Sequence, residues 1–257
     1  MNKNDDIKIA ICFYGQPRFI EDNYNLLFEN LIRLYHTDIF AHLWFDEDLI
    51  IKPYKYGGNG QWQNQRISKD AIHRFQEIYK PKELRVEPSK KFNNSQIPFQ
   101  QSLERYWGGA SDNLLEPDFQ TRTINNVLSR SYSLQSVNQL KKNSEYQSNF
   151  KYDWVFAVRT DLILKSRILL KNFNKKDLNF SSCQKQPDKM VNDWFNFGSS
   201  EVMDCFMNIF GTFELLIDKV SRKNRGAWCP ELLHKEILKK YRIKAKGSNI
   251  VLELPRY

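Results

Sequence analysis

Three short stretches carry residue types suited to chemistry. In 152-YDWVFAVRTDLIL-164, Arg159 and Asp161 follow a run of aromatic and β-branched residues. Such a run reads as a buried strand. Opposite charges at its end are costly to bury unless they are paired or used. In 15-GQPR-18, Gly15 permits an unusual turn, Pro17 pins the chain and Arg18 offers a fork of donors that suits phosphate. A helix start just beyond adds partial positive charge. Gly15, Gln16, Pro17 and Arg18 therefore read as an anion cradle, set against an ordinary Gly-Pro turn with a solvent-facing arginine. The stretch matches neither G-x-G-x-x-G nor G-x-x-x-x-G-K-[ST]. In 42-HLWFDED-48, Trp44 offers a face for a base and Asp46 an acceptor for ribose hydroxyls. A buried tryptophan beside an acidic solvated loop gives the same pattern.

A carboxylate at a strand end beside a phosphate can hold Mg²⁺ or Mn²⁺, with water and substrate oxygens completing the shell. Asp161 is that candidate, and a structural Arg159–Asp161 pair is the alternative. Arg130, in 129-SRSY-132, is placed to face a phosphate or to stand on the surface. Asp193 opens the aromatic stretch 193-DWFNFG-198 and is expected to project into a cleft. Glu231 falls in the first turn of a helix, where acids are also favoured for local reasons. His234 shares its face, one turn on.

The elements that must position these residues follow from periodicity. Residues 7–14 read as a buried strand, 20–35 as a helix, 38–45 as a strand and 68–79 as a helix capped by Ser68. Residues 83–87 read as a short strand and 122–142 as a helix. The order β-α-β-α-β-α-β predicts an α/β fold with a mainly parallel sheet flanked by helices. In such sheets ligands bind at the carboxyl ends of strands, where Arg18, Asp46, Arg159 and Asp161 fall. The second half, 165–257, reads as an extension completing a cleft: an extended stretch at 190–198, helices at 201–220 and 230–241, and a strand at 249–254. One domain over 1–257 is expected. The polar stretches 52–66 and 88–120 are expected to form a lid and acceptor wall.

Composition bounds the remaining classes. The chain has 257 residues, 41% hydrophobic and 14% aromatic, enough for a sizeable core. A net charge of +9 favours anionic partners, or a plain soluble surface. The basic residues are scattered along the chain, so nucleic acid is not expected. The segment 239-KKYRIKAK-246 offers peripheral contact with anionic lipid, and reads equally as a solvated helix end. Four cysteines without a C-x-x-C pair fit reduced thiols. No stretch has the length of a membrane span, and a soluble cytoplasmic protein is expected.

The stretches 9-IAICFYGQPR-18, 39-IFAHLWFD-46, 152-YDWVFAVRTDL-162, 193-DWFNFGSSEVMD-204 and 230-PELL-233 occur in that order. Together they resemble a loosely defined group of GT-A-type glycosyltransferases from bacteria and large DNA viruses, over residues 7 to about 240. The resemblance implies a Rossmann-like GT-A domain, a nucleotide-sugar donor, a glycan acceptor and a divalent metal, Mn²⁺ or Mg²⁺. The metal-binding D-x-D motif of that fold reads Arg159-Thr160-Asp161 here, with arginine in place of the first aspartate. The implied chemistry is departure of a diphosphate, stabilised by Arg18, Arg159 and the metal. A carboxylate, Asp193 or Glu231, is then expected to deprotonate the acceptor hydroxyl.

Two other classes compete. A sulfotransferase-like phosphonucleotide enzyme also needs a basic turn after the first strand, but 15-GQPR-18 lacks the expected Lys-Ser/Thr chemistry. A non-catalytic nucleic-acid- or glycan-binding protein follows from charge and aromatic content.

Overall fold

The computed structural model describes residues 4–51, 66–92, 117–181, 191–192, 194–223 and 230–253. Four parallel strands form the first half of the sheet: β1 (Asn4–Gly15), β2 (Tyr35–Trp44), β3 (Glu83–Glu87) and β4 (Trp154–Arg159). Their spatial order is β3-β2-β1-β4. The same sheet continues through β7 (Phe195–Gly198), β6 (Leu178–Ser181) and β8 (Ala245–Ser248). Only β7 runs against the others: it is antiparallel to β4 and to β6, and β6 is parallel to β8. A separate two-stranded ribbon pairs β5 (Ile163–Leu164) with β9 (Leu252–Glu253).

Both faces of the sheet are covered, and the strand sequences say why. In β1, Ile9, Ile11 and Phe13 alternate with Ala10, Cys12 and Tyr14, and all six are at most 2% exposed. Alternate residues point to opposite faces, so a continuous apolar run needs cover on both sides. A short α2 (Glu47–Ile51) follows β2, and helices α1 (Ile20–Asn30) and α3 (Ala71–Tyr79) pack Leu27 and Phe75 on the Ile11 face. On the Cys12 face lie α4 (Pro117–Gln147), α5 (Ser200–Met207), α6 (Phe213–Lys223) and α7 (Pro230–Lys240). Burial pushes the Cys12 thiol up to about 12, so it stays an inert core residue. The result is a three-layer α/β architecture with a Rossmann-like run of parallel strands. No helix among the described residues is long and apolar enough to cross a membrane.

Several expected elements have different bounds. The helix expected over 20–35 ends at Asn30, because Leu31 leaves the helical region at φ −143° and buries its side chain. The chain then enters β2 at Tyr35, whose hydroxyl donates to Ile168 O at 3.0 Å and accepts from Leu170 N at 2.9 Å. Ser68 does not cap α3, which starts at Ala71; its hydroxyl donates to the Asp70 carboxylate instead. The helix expected over 122–142 is longer at both ends. The one expected over 201–220 is two helices, capped at the start by Ser199 and separated where Gln135 Oε1 accepts the Gly211 N–H at 2.9 Å. The strand expected at 249–254 is the short β9, with β8 preceding it. Most of the expected lid, 52–65 and 93–116, lies outside the described residues, as do Asp193, Cys183 and Cys229.

Candidate functional site

The strand order reverses at β1: β2 and β3 lie to one side, β4 to the other. A crevice opens outside the carboxyl ends of strands at such a switch point. Tyr14 pairs with His42 on β2 and with Arg159 on β4, so three strand ends stand abreast there. Gly15 follows at φ +108°, a left-handed conformation that favours glycine. The space where a side chain at position 15 would stand is open, with nothing within 4 Å.

The two loops leaving β1 and β4 are tied together. The Thr160 hydroxyl donates to Gln16 O, and the Asn23 amide donates to Thr160 O. Asn23 is 1% exposed and sits on the buried stripe of α1, between Ile20 and Leu27. The Arg18 guanidinium donates to the Gln16 side chain. Arg159 grips Asp161 with two parallel bonds, Nε to Oδ1 at 2.8 Å and Nη2 to Oδ2 at 2.6 Å. Burial alone pushes the Asp161 carboxyl up. The charge and hydrogen bonds of Arg159, joined by the charge of Arg18, outweigh it and hold the carboxyl below its usual range. Arg18 and Arg159 therefore act on the same buried carboxylate from the ends of adjacent strands. Beside Arg18, a cleft of about 290 Å³ is lined by Pro17, Ile20, Arg66, Ser68 and Arg74.

The divalent ion implied at Asp161 can be tested against this geometry. Both Asp161 oxygens are engaged by Arg159, and the residue is 3% exposed. Among the described residues no group of three or more His, Cys, Asp or Glu stands together. Asp161 is thus committed to Arg159, and the positive charge beside it is carried by guanidinium groups.

Behind Gly15 lies a polar chain that sequence reading did not assign. The Gly15 N–H donates to Ser133 Oγ of α4 at 3.1 Å, and Ser133 Oγ stands 2.8 Å from His42 Nδ1. His42 Nε2 faces Glu87 Oε1 at 3.6 Å. Ser133 and His42 are both fully buried, so the chain braces the ends of β1, β2 and β3 against α4. A histidine inside the apolar run 38-DIFAHLWF-45 was the available signal. Burial, opposed by the charge of Glu87, lowers the His42 value to about 4. That is below the unfolded value near 6.5. The unfolded chain then takes up the proton first, so this contribution to stability is intact above about pH 6.5 and is lost as pH falls through about 4. Imidazole resonances of His42 should stay those of the neutral ring down to about pH 4; a titration midpoint near pH 6.5 would contradict the buried network.

The other expected site residues divide into three groups. Trp44 ends β2 at 3% exposure, its ring tilted 30° to Tyr132 with centroids 5.4 Å apart. Its buried indole N–H has no acceptor among the described residues. Asp46 braces the backbone: its oxygens accept the N–H groups of Leu49 at 3.1 Å and Ser89 at 2.7 Å. Burial raises its carboxyl, and these hydrogen bonds outweigh it, leaving the value below the usual range.

The third group sits on the facing helices. Helix α4 runs antiparallel to β4, with Glu145 reaching Tyr152 at the amino end of the strand and Ser133 reaching Gly15 at the carboxyl end. Arg130, one turn before Ser133, therefore lies beyond the strand ends. Its Nη2 stands 2.9 Å from His234 Nε2, and His234 Nδ1 stands 3.4 Å from Val191 O. His234 thus donates from Nδ1 and accepts from Arg130, a positioning role. Glu231 is half-buried on the same helix, three residues earlier. The segment holding Val191 leads to Trp194, whose carbonyl accepts the Arg159 N–H at 3.2 Å. The fold so links Arg130 and His234 to the end of β4.

Neither a protein-family model nor a curated protein matches this chain.

Proposed function

We propose that the crevice at the ends of β1 and β4 binds the diphosphate of a nucleotide-activated sugar. On this reading the protein is a GT-A-type glycosyltransferase acting on a glycan acceptor. One observation carries the reading: the Arg159–Asp161 fork, with the charge of Arg18 acting on the same carboxylate, stands at the switch point of a parallel sheet, beside an open glycine turn. Breaking the bond between sugar and phosphate leaves negative charge on the departing diphosphate. Preorganised guanidinium groups stabilise that charge without solvent rearrangement. Asp161 orients the Arg159 fork for this purpose, and the bracing chain from Glu87 to Gly15 holds the turn. The proton of the acceptor hydroxyl passes to a carboxylate. Glu231 is the candidate among the described residues, and Asp193, adjoining Trp194, is the second.

The test is release of the nucleotide from a panel of activated sugars, nucleoside diphosphate from UDP-, GDP- and dTDP-sugars and CMP from CMP-sugars, each with EDTA or with Mn²⁺. Turnover of one nucleotide family, retained in EDTA and lost in Glu231→Gln or Asp193→Asn, is the expected result. Inertness towards every donor under both conditions would end this reading. Binding of a sulfonucleotide instead would move the protein to the sulfotransferase class.

A further inference from the structure

The basic residues that are scattered along the chain are partly gathered by the fold. Strands β6 and β8 are parallel neighbours, with Leu178 opposite Ala245. The residues that precede each strand therefore meet at one corner of the sheet. The Leu178 N–H donates to Lys244 O at 2.8 Å, which fixes that meeting. From one side come Lys175 and Lys176, from the other Lys239, Lys240, Arg242 and Lys244, and all six are exposed. Tyr241 stands among them at 39% exposure, with Lys240 Nζ 5.4 Å from its ring centre.

The acids nearby offset only part of this charge. Asp153 faces Lys175 at 4.0 Å, and Glu236, only 5% exposed, pairs with Lys239 at 3.0 Å. Asp177 bonds to the Asn174 amide at 3.2 Å. Positive charge remains in excess, carried on the end of α7 and on the turns that lead into β6 and β8.

We propose that this corner is a docking surface for an anionic lipid bilayer. Five of the six cations are lysines, compact charges on flexible stems that suit a diffuse anionic plane more than a defined bidentate partner. An exposed tyrosine between them suits the headgroup layer, where one end of the ring is wet and the other apolar. A nucleic-acid surface would call for stacking rings and arginine forks, whereas the six cations gathered here include a single arginine, beside the one exposed ring of Tyr241. The corner stands at the amino ends of β6 and β8, which run with β1 and β4. The candidate site occupies the carboxyl ends, so docking leaves it open.

Vesicle co-sedimentation tests the proposal. The intact protein should bind phosphatidylcholine vesicles containing phosphatidylglycerol, and not pure phosphatidylcholine vesicles. Binding should fall as salt is raised from about 0.15 M to about 1 M, where the screening length shrinks to about 3 Å. Each cation near such a surface contributes about fivefold to partitioning. Lys240→Glu with Lys244→Glu should then weaken binding by at least about 25-fold. The control pair Lys69→Glu and Lys91→Glu makes the same change in net charge elsewhere and should weaken it far less. An equal loss in both pairs, or absence of binding to anionic vesicles, would overturn the proposal. So would preferential binding to duplex DNA that displaces the vesicles. Nucleoside diphosphate should not compete with vesicles, so this result stands apart from the proposed activity.

Discussion

Replacing Arg159 by alanine should lower unfolding stability by about 3 kcal/mol at neutral pH, the lower end of the cost of breaking a buried pair. The lower end applies because the Arg159 side chain is 24% exposed, whereas that of Asp161 is 5% exposed. The variant leaves Asp161 buried without its two-bonded partner. The pH dependence carries the diagnostic sign. In the native protein the Asp161 carboxyl lies below its usual range, so its contribution is present above the unfolded value near 3.9 and is lost as pH falls through the folded value. Without Arg159 burial dominates and raises that value. The variant then recovers as the carboxyl becomes protonated on acidification, and the gap to the native protein narrows from about pH 7 towards about pH 4. Urea titrations across that range measure it. A gap that is constant with pH would mean that the guanidinium–carboxylate pair is not what stabilises this loop.

A second large effect lies at the other end of α4. Lys141 is fully buried and donates to Glu145 Oε2 at 3.0 Å, Ser200 Oγ at 2.7 Å and Asp204 Oδ1 at 2.8 Å. All three ammonium protons are used. Glu145 in turn accepts from the Ser200 hydroxyl at 2.6 Å, the Tyr152 N–H at 3.0 Å and Lys151 at 3.0 Å. Lys141→Met keeps most of the volume but removes the charge that two carboxylates share. The expected cost is about 3 kcal/mol, the lower end for breaking a buried pair, because Lys151 still reaches Glu145 and the Asp204 side chain is 21% exposed. Nucleoside diphosphate affinity of the folded protein should not change, because this cluster sits at the amino edge and the candidate site at the carboxyl edge. An unaltered denaturation midpoint would show that the cluster adds nothing; an altered affinity would show that the two ends are coupled.

The parts of this fold that were legible in the sequence share one property. Strands such as 7-IKIAICFY-14 and 154-WVFAVR-159 are apolar runs buried on both faces, and nothing competes with that signal. The last two strands of the sheet lacked it. β6 is 178-LNFS-181 and β8 is 245-AKGS-248, short and partly polar, defined by pairing and not by pattern. At the break between α5 and α6 the Gly211 N–H donates to Gln135, far away in sequence.

The site divides the same way. Gly15, Arg18, Arg159 and Asp161 could be found because charge or glycine interrupts an apolar run at a strand end. Their supports were harder to find. Asn23 and Ser133 are small polar residues within helices, and their partners come from other elements. Lys141 and Glu145 were visible only as an i,i+4 pair continuing the buried stripe through Leu134 and Val137. Asp46, read as a ribose acceptor, is engaged by two backbone amides that only the folded loop brings near.

The central claim is that Arg18 and Arg159 form a diphosphate site at the switch point between β1 and β4. Calorimetric titration of UDP and GDP in EDTA tests it directly, on the native protein and on Arg18→Gln and Arg159→Gln. The account predicts metal-independent binding of one nucleotide, weakened at least about tenfold by either substitution, since a charge-assisted hydrogen bond contributes about 1.5–3 kcal/mol. Binding that both variants retain unchanged would contradict it, and so would binding that appears only when Mn²⁺ is added.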